Sequence, residues 1–278
     1  MINIREIKPV EAPILSAMSD AVNWNNSPDE CRLLTEADNS CGFFLEVDGE
    51  IAGSAGMVTY EPQSLVFINL VIVKEQYRRC GYATRLVEHI LERTAGYKTK
   101  KLHATPEGSK VYAPLGFKPC RSISFFSAAA PLLDAPLLPG IHAMSADELK
   151  LAVERDKECF GFFRHNLLKA SYRFHPELAL SAGDGKSHIF GRRWKKFRQL
   201  SALAADDLNM AMALTARAAE LDRSQPLSII TYDQQKDFQD FLVKGNFART
   251  REMLDMELGE NTPAPPDFYR AIYGGDMG

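Results

Sequence analysis

Cysteine is scarce and scattered in this chain: 5 residues in 278, at Cys31, Cys41, Cys80, Cys120 and Cys159. Their number is odd and no C-x-x-C spacing occurs, which argues against a cysteine-built metal site and against a disulfide framework. The expectation is a chain without metal in a reducing, cytoplasmic setting. No stretch approaches the roughly 18 consecutive apolar residues of a membrane span. The opening Met1-Ile2-Asn3-Ile4-Arg5-Glu6 carries no apolar leader, so neither membrane insertion nor secretion is expected. An excess of one charge is also missing. A net charge of -3 gives no global attraction to nucleic acid or to anionic lipid. What remains is ordinary globular material, 45% hydrophobic and 10% aromatic, enough for real cores. The length suits one large domain or two of common size.

The most informative stretch runs from Phe67 to Arg93. An apolar run (Phe67, Ile68, Leu70, Val71, Ile72, Val73) has the length and composition of a strand. Apolar residues at Ala83, Leu86, Val87, Ile90 and Leu91 then recur at helical offsets. Between them lies Tyr77-Arg78-Arg79-Cys80-Gly81-Tyr82-Ala83-Thr84, a basic turn leading into a helix start. The unpaired amides of a first helical turn carry partial positive charge and suit a phosphate or pyrophosphate. Gly81 and the small Ala83 allow an anion close to the backbone, and Arg78 and Arg79 add full charges. The segment reads as an anion cradle.

This R-x-x-G-x-A turn after a strand ending V-x-V resembles the acetyl-CoA signature of the GNAT superfamily of N-acetyltransferases. A second block, His103-Ala104-Thr105-Pro106-Glu107-Gly108 followed by Val111-Tyr112-Ala113-Pro114-Leu115-Gly116-Phe117, is similar to the closing block of that fold. The resemblance implies acetyl-CoA as cosubstrate and transfer of an acetyl group to an amine. It also implies that main-chain groups of Val71, Ile72 and Val73 pair with the pantetheine arm and polarise the thioester carbonyl. Arg78, Arg79, Cys80, Gly81, Tyr82, Ala83 and Thr84 would cradle the pyrophosphate. Thr105 and Gly108 fall on the cofactor side of the second block. Thr105 stands where many members have an Asn, and one hydroxyl cannot reproduce an amide's contacts. Tyr112 matches the family tyrosine near the CoA sulfur, and a phenol with an ordinary pKa near 10 can protonate a leaving thiolate.

The element pattern is mixed. In the first half we expect strands at Ile2–Lys8, Gly42–Val47, Glu50–Tyr60, Lys101–Ala104 and Arg121–Ser127. Two helices fall between Val10 and Thr35, and a short one near Lys110–Leu115. Asp48-Gly49 is a two-residue hairpin signal. Ala128 to Gly140, rich in Ala, Pro and Leu, has no period and marks a linker. The second half then echoes the first. A helix near Ala146–Glu158 precedes strands at Leu178–Ala182 and Ser187–Arg192 about a second Asp-Gly turn, Asp184-Gly185. A strand at Phe197–Ala202, a helix at Asp206–Leu221, a strand at Leu227–Tyr232, a helix at Gln234–Lys244 and a strand at Thr250–Leu258 follow. Asn246-Phe247 sits where Gly116-Phe117 sat. The expectation is an α/β (α+β) protein of tandem GNAT-like lobes, each a mixed sheet flanked by helices. The acetyl-CoA lobe would occupy residues 1–130 and a signature-free copy residues 141–278. In the copy, Ala204-Ala205-Asp206-Asp207 replaces the cradle. Two carboxylates cap a helix well but repel a pyrophosphate, so one cofactor site per chain is expected.

The general base is not fixed by the sequence. The signature strand offers Asn69 and no carboxylate. His103 is a candidate because an unperturbed imidazole titrates in the useful range, although a lone strand His is more often a packing residue, and a water chain would serve equally. Trp24-Asn25 lies in the segment that, by the resemblance, covers the acceptor side of the sheet, and would suit a small polar acceptor. Arg192-Arg193-Trp194-Lys195-Lys196-Phe197-Arg198 interleaves cations with aromatics, as single-stranded nucleic-acid binders do. The bland alternative, a solvated hairpin tip, is preferred, so no nucleic-acid partner is expected; a homodimer stays open. The reading is an acetyltransferase for a small-molecule or amino-acid-like amine; the rival is a non-catalytic acyl-CoA-binding regulatory module.

Overall fold

In a computed structural model, which describes residues 1–36, 39–60, 64–183 and 185–277, the local signals become elements close to where they were read. The first part of the chain forms β1 (Ile2–Glu6), α1 (Ala12–Ala21), α2 (Pro28–Glu36), β2 (Ser40–Val47), β3 (Glu50–Tyr60), β4 (Leu65–Val73), α3 (Tyr82–Arg93), β5 (Thr99–Ala104) and α4 (Pro106–Tyr112). Asp48 and Gly49 both take positive φ, 51° and 88°, the two left-handed positions that a tight hairpin turn demands. β1 to β4 pair antiparallel in sequence order, and β5 lies parallel to β4. The apolar stripe of α3 buries Leu86, Val87 and Ile90 against Phe43, Leu45, Ala55, Val66, Ile68 and Leu102. Each such side chain contributes roughly 1.5–3 kcal/mol when fully buried.

The rest of the chain forms β6 (Lys118–Ala128), β7 (Ile141–Ala143), α5 (Ala146–Phe160), α6 (His165–Phe174), β8 (Leu180–Ala182), β9 (Ser187–Arg193), β10 (Arg198–Ala204), α7 (Leu208–Glu220), β11 (Leu227–Tyr232), α8 (Lys236–Lys244), β12 (Ala248–Gly259) and β13 (Tyr269–Ala271). These elements divide between two compact units. The first holds Met1–Cys120 with Leu254–Asn261 and Met277; the second holds Arg121–Met253 with Thr262–Asp276. In the first unit, the far end of β12 closes the sheet beside β5, from Leu254 opposite Ala104 to Gly259 opposite Thr99. The second unit orders its strands β6-β11-β10-β9-β8-β7, with β13 on β10. Its α7 buries Ala211, Leu214, Thr215 and Ala218.

Several expectations shift. The short helix after β5 begins at Pro106, not near Lys110, because Thr105 caps it: Thr105 Oγ1 accepts from Gly108 N at 3.0 Å. Helix α6 and strands β7 and β13 were not anticipated. Of the second Asp-Gly turn, Asp184 lies outside the described residues, while Gly185 takes φ 81°. Asn246 does supply the left-handed residue, φ 67° against 93° at Gly116. Phe117 N bonds Tyr112 O as Phe247 N bonds Leu242 O. The two turns are therefore equivalent, and Leu242 stands in the second unit where Tyr112 stands in the first.

The basic hairpin needs a larger correction. Only its tip, Lys195 and Lys196, is solvent-exposed. Arg192, Trp194 and Arg198 are buried, and the cations face inward. Arg192 lies between the Trp194 and Tyr273 rings at 5.0 and 4.5 Å and pairs with Asp276 at 3.3 Å. Arg198 donates to the carbonyls of Ala218, Ala219 and Asp222, and Arg193 pairs with Asp222. Guanidinium groups committed in this way have no forks left for phosphates. Neutralising Lys195 and Lys196 together should therefore leave CoA affinity unchanged in calorimetry. Tight, salt-dependent binding of the unmodified protein to single-stranded DNA would contradict this account.

Candidate active site

The site begins with a strand that stops pairing. β4 and β5 run in register from Leu65 opposite Thr99 to Ile68 opposite Leu102. Beyond that, β4 bends. Its partner β3 shows a register shift between Ser54 and Gly56, and Leu70 takes φ 46°, a conformation that costs an L-residue energy and persists only when held. Here Ser54 Oγ donates to Leu70 O at 3.0 Å. Gly56 leaves room for Asn69, since a Cβ there would lie 2.3 Å from Asn69 Oδ1 and force that side chain to move. On their other edge Ile72 and Val73 pair with Ser54 and Gly53. The edge of Val71, Ile72 and Val73 that faces away from β3 is thereby released from β5 and offers main-chain groups along the gap between the two strands.

The cradle follows directly. Arg78 Nε donates back to Val73 O at 3.2 Å, bracing the loop against the strand end. Arg79 and Gly81 both take left-handed φ, 64° and 77°, and α3 starts at Tyr82. Gly81 is the N-cap and no side chain caps the helix; the first intrahelical bond comes from Arg85 N to Gly81 O at 3.1 Å. The amides of Tyr82, Ala83 and Thr84 precede that bond and keep their positive end outward. A Cβ on Gly81 would meet nothing within 4 Å, so the space over the helix start is open. Arg78, Arg79 and Cys80 are exposed around it. The corresponding helix of the second unit differs. Asp207 caps α7 by accepting from Met210 N at 2.9 Å, and Asp206 pairs with Arg155. That helix start has supplied its own anion. A long anionic arm such as pantetheine diphosphate thus fits the released edge and open helix start of the first unit.

Tyr112 ends α4 within the same core as α3, alongside partly buried Val71 and Tyr82, its ring 6.1 Å from that of Phe117. It is only 8% exposed, and burial pushes its phenol well above the ordinary value. Low polarity penalises the phenolate, so the group keeps its proton. Gly108 lets the ring approach: a Cβ there would lie 3.2 Å from Tyr112 Cε2. Thr105 commits one of its two acceptor lone pairs to the helix cap, leaving its hydroxyl proton and the other lone pair for a further partner.

His103 points to the other side of β5, since its neighbours Leu102 and Ala104 belong to the α3-side core. Its ring meets the edge of Phe67 at 4.9 Å. Across the sheet stands Asp255 of β12, with His103 Nε2 3.9 Å from Asp255 Oδ1. Lys101 completes a buried ionic group, 3.0 Å from Asp255 and 3.3 Å from Glu257. The sequence could not place Asp255 or Glu257 here, because β5 ends at Ala104 and β12 begins only at Ala248; residue type alone gave no signal. Donor atoms of Cys120, Asp255 and Glu257 lie within 4.8 Å of one another, but the Lys101 ammonium already supplies the positive charge that those carboxylates require. Trp24 is half-buried on the α1–α2 turn. Asn25 is buried at φ 61°, its amide donating to Asn23 O at 2.9 Å while its carbonyl Oδ1 is enclosed with no hydrogen-bond partner among the described residues.

Comparison with known proteins identifies the family. Residues 9–117 match the family described as Acetyltransferase (GNAT) family, and residues 152–274 match an Acetyltransferase (GNAT) domain. The chain belongs to the GNAT acetyltransferase family and carries two such domains in tandem. It is 30% identical over 145 residues to YitH, an uncharacterized N-acetyltransferase of Bacillus subtilis (strain 168). That match spans about half of each chain, 50% of this one and 49% of the relative. Among solved structures, a putative acetyltransferase of Pyrococcus horikoshii superposes with a TM-score of 0.80 at 21% identity, over 100% of this chain and 96% of that one. A tandem GNAT protein from the clavulanic acid biosynthesis pathway gives 0.65 at 11% identity, over 95% of this chain and 100% of that one. At these identities the structures speak for the fold. No helix among the described residues is long and apolar enough to cross a membrane.

Proposed function

We propose that the chain is an acetyl-CoA-dependent N-acetyltransferase acting on the amine of a small-molecule or amino-acid-like acceptor, with its cofactor site in the first unit. The observation that carries this reading is the pairing of a released β4 edge with a helix start that no side chain caps. Bound acetyl-CoA supplies an activated acyl group as a thioester. The main chain of Val71 to Val73 orients the arm and directs an amide at the carbonyl oxygen. Amides of Tyr82 to Thr84, with Arg79 beside them, hold the diphosphate. Tyr112 delivers a proton to the sulfur side. Its raised pKa does not forbid this, because the same burial that disfavours phenolate also disfavours a departing thiolate. His103, its side chain enclosed against Phe67 and Asp255, is a packing residue in this scheme, and the amine proton leaves through water. No metal enters this scheme.

The cradle is tested by Gly81→Val. A β-branched residue at φ 77° is strained, and its side chain fills the open space that the anion must enter. Calorimetry with CoA should show affinity reduced by about 100-fold or more, the equivalent of roughly 2.7 kcal/mol, with the fold intact by circular dichroism. Unaltered affinity would remove the helix start from the site. Turnover itself is sought by screening amines with detection of released thiol.

A further inference from the structure

The second unit repeats the first down to its irregularity. β10 and β11 run parallel and pair from Arg198 opposite Leu227 to Leu200 opposite Ile229, as β4 and β5 pair only to Ile68 and Leu102. Two residues beyond the last pair stands a left-handed residue in each case, Leu70 at φ 46° and Ala202 at φ 44°. β9 shifts register against β10 between Ser201 and Ala204, as β3 shifts against β4 between Ser54 and Gly56. The second unit has therefore built the same split between parallel strands.

That split is filled. β13 pairs antiparallel with the released edge of β10, Leu203 opposite Ala271 and Ala204 opposite Tyr269. Ala202 N donates to Ile272 O at 3.2 Å and Ala205 N to Phe268 O at 2.9 Å. On the other side Ile272 N donates to Ile230 O of β11 at 3.0 Å. The segment 268–272 thus bridges both diverging strands through its main chain. Its side chains anchor it: Tyr269, Ala271, Ile272 and Tyr273 are buried. Arg164 donates to Tyr269 Oη at 2.6 Å, and Gln235 Nε2 donates to the carbonyls of Asp267 and Tyr269.

We propose that this second split is a peptide-binding slot whose ligand is the chain's own segment 268–272, standing where pantetheine would lie in the first unit. The chemistry is interchangeable. A pantetheine arm presents amide N–H and C=O groups along an extended chain, and a strand presents the same groups to the same released edge. The neighbouring features agree with permanent occupancy by peptide. Asp207 fills the helix start that a diphosphate would need, and Leu242 replaces the proton donor. The slot converts a cofactor cleft into a structural joint, so acyl-CoA is taken up once per chain. The analogy with pantetheine rests on the first-unit reading; the occupancy by segment 268–272 does not.

Hydrogen exchange on the full chain, with and without saturating CoA, separates the two. Occupancy predicts that the amides of Ala202, Ala205 and Ile272 exchange as slowly as that of Ile229 in the same sheet, within about tenfold, in both conditions. Amides of Val71 to Val73 and Tyr82 to Thr84 should slow by about tenfold or more on adding CoA. Exchange of Ile272 faster than Ile229 by a factor of about 1,000, or its release when CoA is added, would overturn the slot. Calorimetry showing two CoA per chain would overturn it as well. No CoA binding, with slow Ile272, would instead sink the first-unit reading and leave the slot standing. As a second variant, Ile272→Pro removes the donor to Ile230 O and should expose Ala202 and Ala205 to exchange while CoA still binds. Continued protection of both amides in that variant would count against the slot.

Discussion

Tyr112→Phe should lower turnover by about 10²–10⁴-fold, the usual contribution of a positioned acid or base, while acetyl-CoA affinity stays within about twofold. The ring packs against Phe117 and over Gly108, and both contacts survive in Phe. The released β4 edge and the helix start of α3 are untouched. Only the proton is lost, from a group that burial keeps protonated across the physiological range. The comparison needs any one amine that gives measurable thiol release, with affinity followed by calorimetry. A Phe variant with near-normal turnover would return Tyr112 to a packing role. Tight CoA binding with no turnover on a broad amine panel would favour a non-catalytic acyl-CoA-binding module instead.

The second large effect is on stability. Asp156 and Arg164 form a bidentate pair at 2.7 and 2.8 Å, with side-chain exposures of 2% and 0%. Arg164 also donates to Tyr269 Oη, which in turn accepts from Tyr273 N at 3.0 Å. Asp156→Ala leaves a buried guanidinium without its carboxylate and should cost about 3–5 kcal/mol. In chemical denaturation the midpoint should fall with little change in slope. Arg164→Met together with Asp156→Leu removes both charges and should recover part of the loss. A loss under about 1 kcal/mol for Asp156→Ala would mean that water or another anion reaches Arg164. Because the pair holds Tyr269, the single variant should also accelerate exchange at Ile272 ahead of the first-unit strands.

What could be read along the chain was the part whose cause is local. The turn at Asp48-Gly49, the apolar stripe of α3, and the strand–turn–helix of the cradle each depend on residues within a few positions of one another. Steric limits on φ and helical or strand periodicity act at that range. The doubling of the fold was legible for the same reason, since each copy repeats the same local order. Tertiary structure alone decided three things. It set the fate of the basic run, because Arg192 and Arg198 find their partners at Asp276 and at Ala218, Ala219 and Asp222. It brought Asp255 and Glu257 opposite His103 and Lys101, a strand pairing that no spacing encodes. It also put β13, too short to show a period and following a Pro-rich stretch, into the split of the second sheet. Unpaired backbone donors and acceptors left by that split are costly to bury, and a distant segment of the same chain satisfies them.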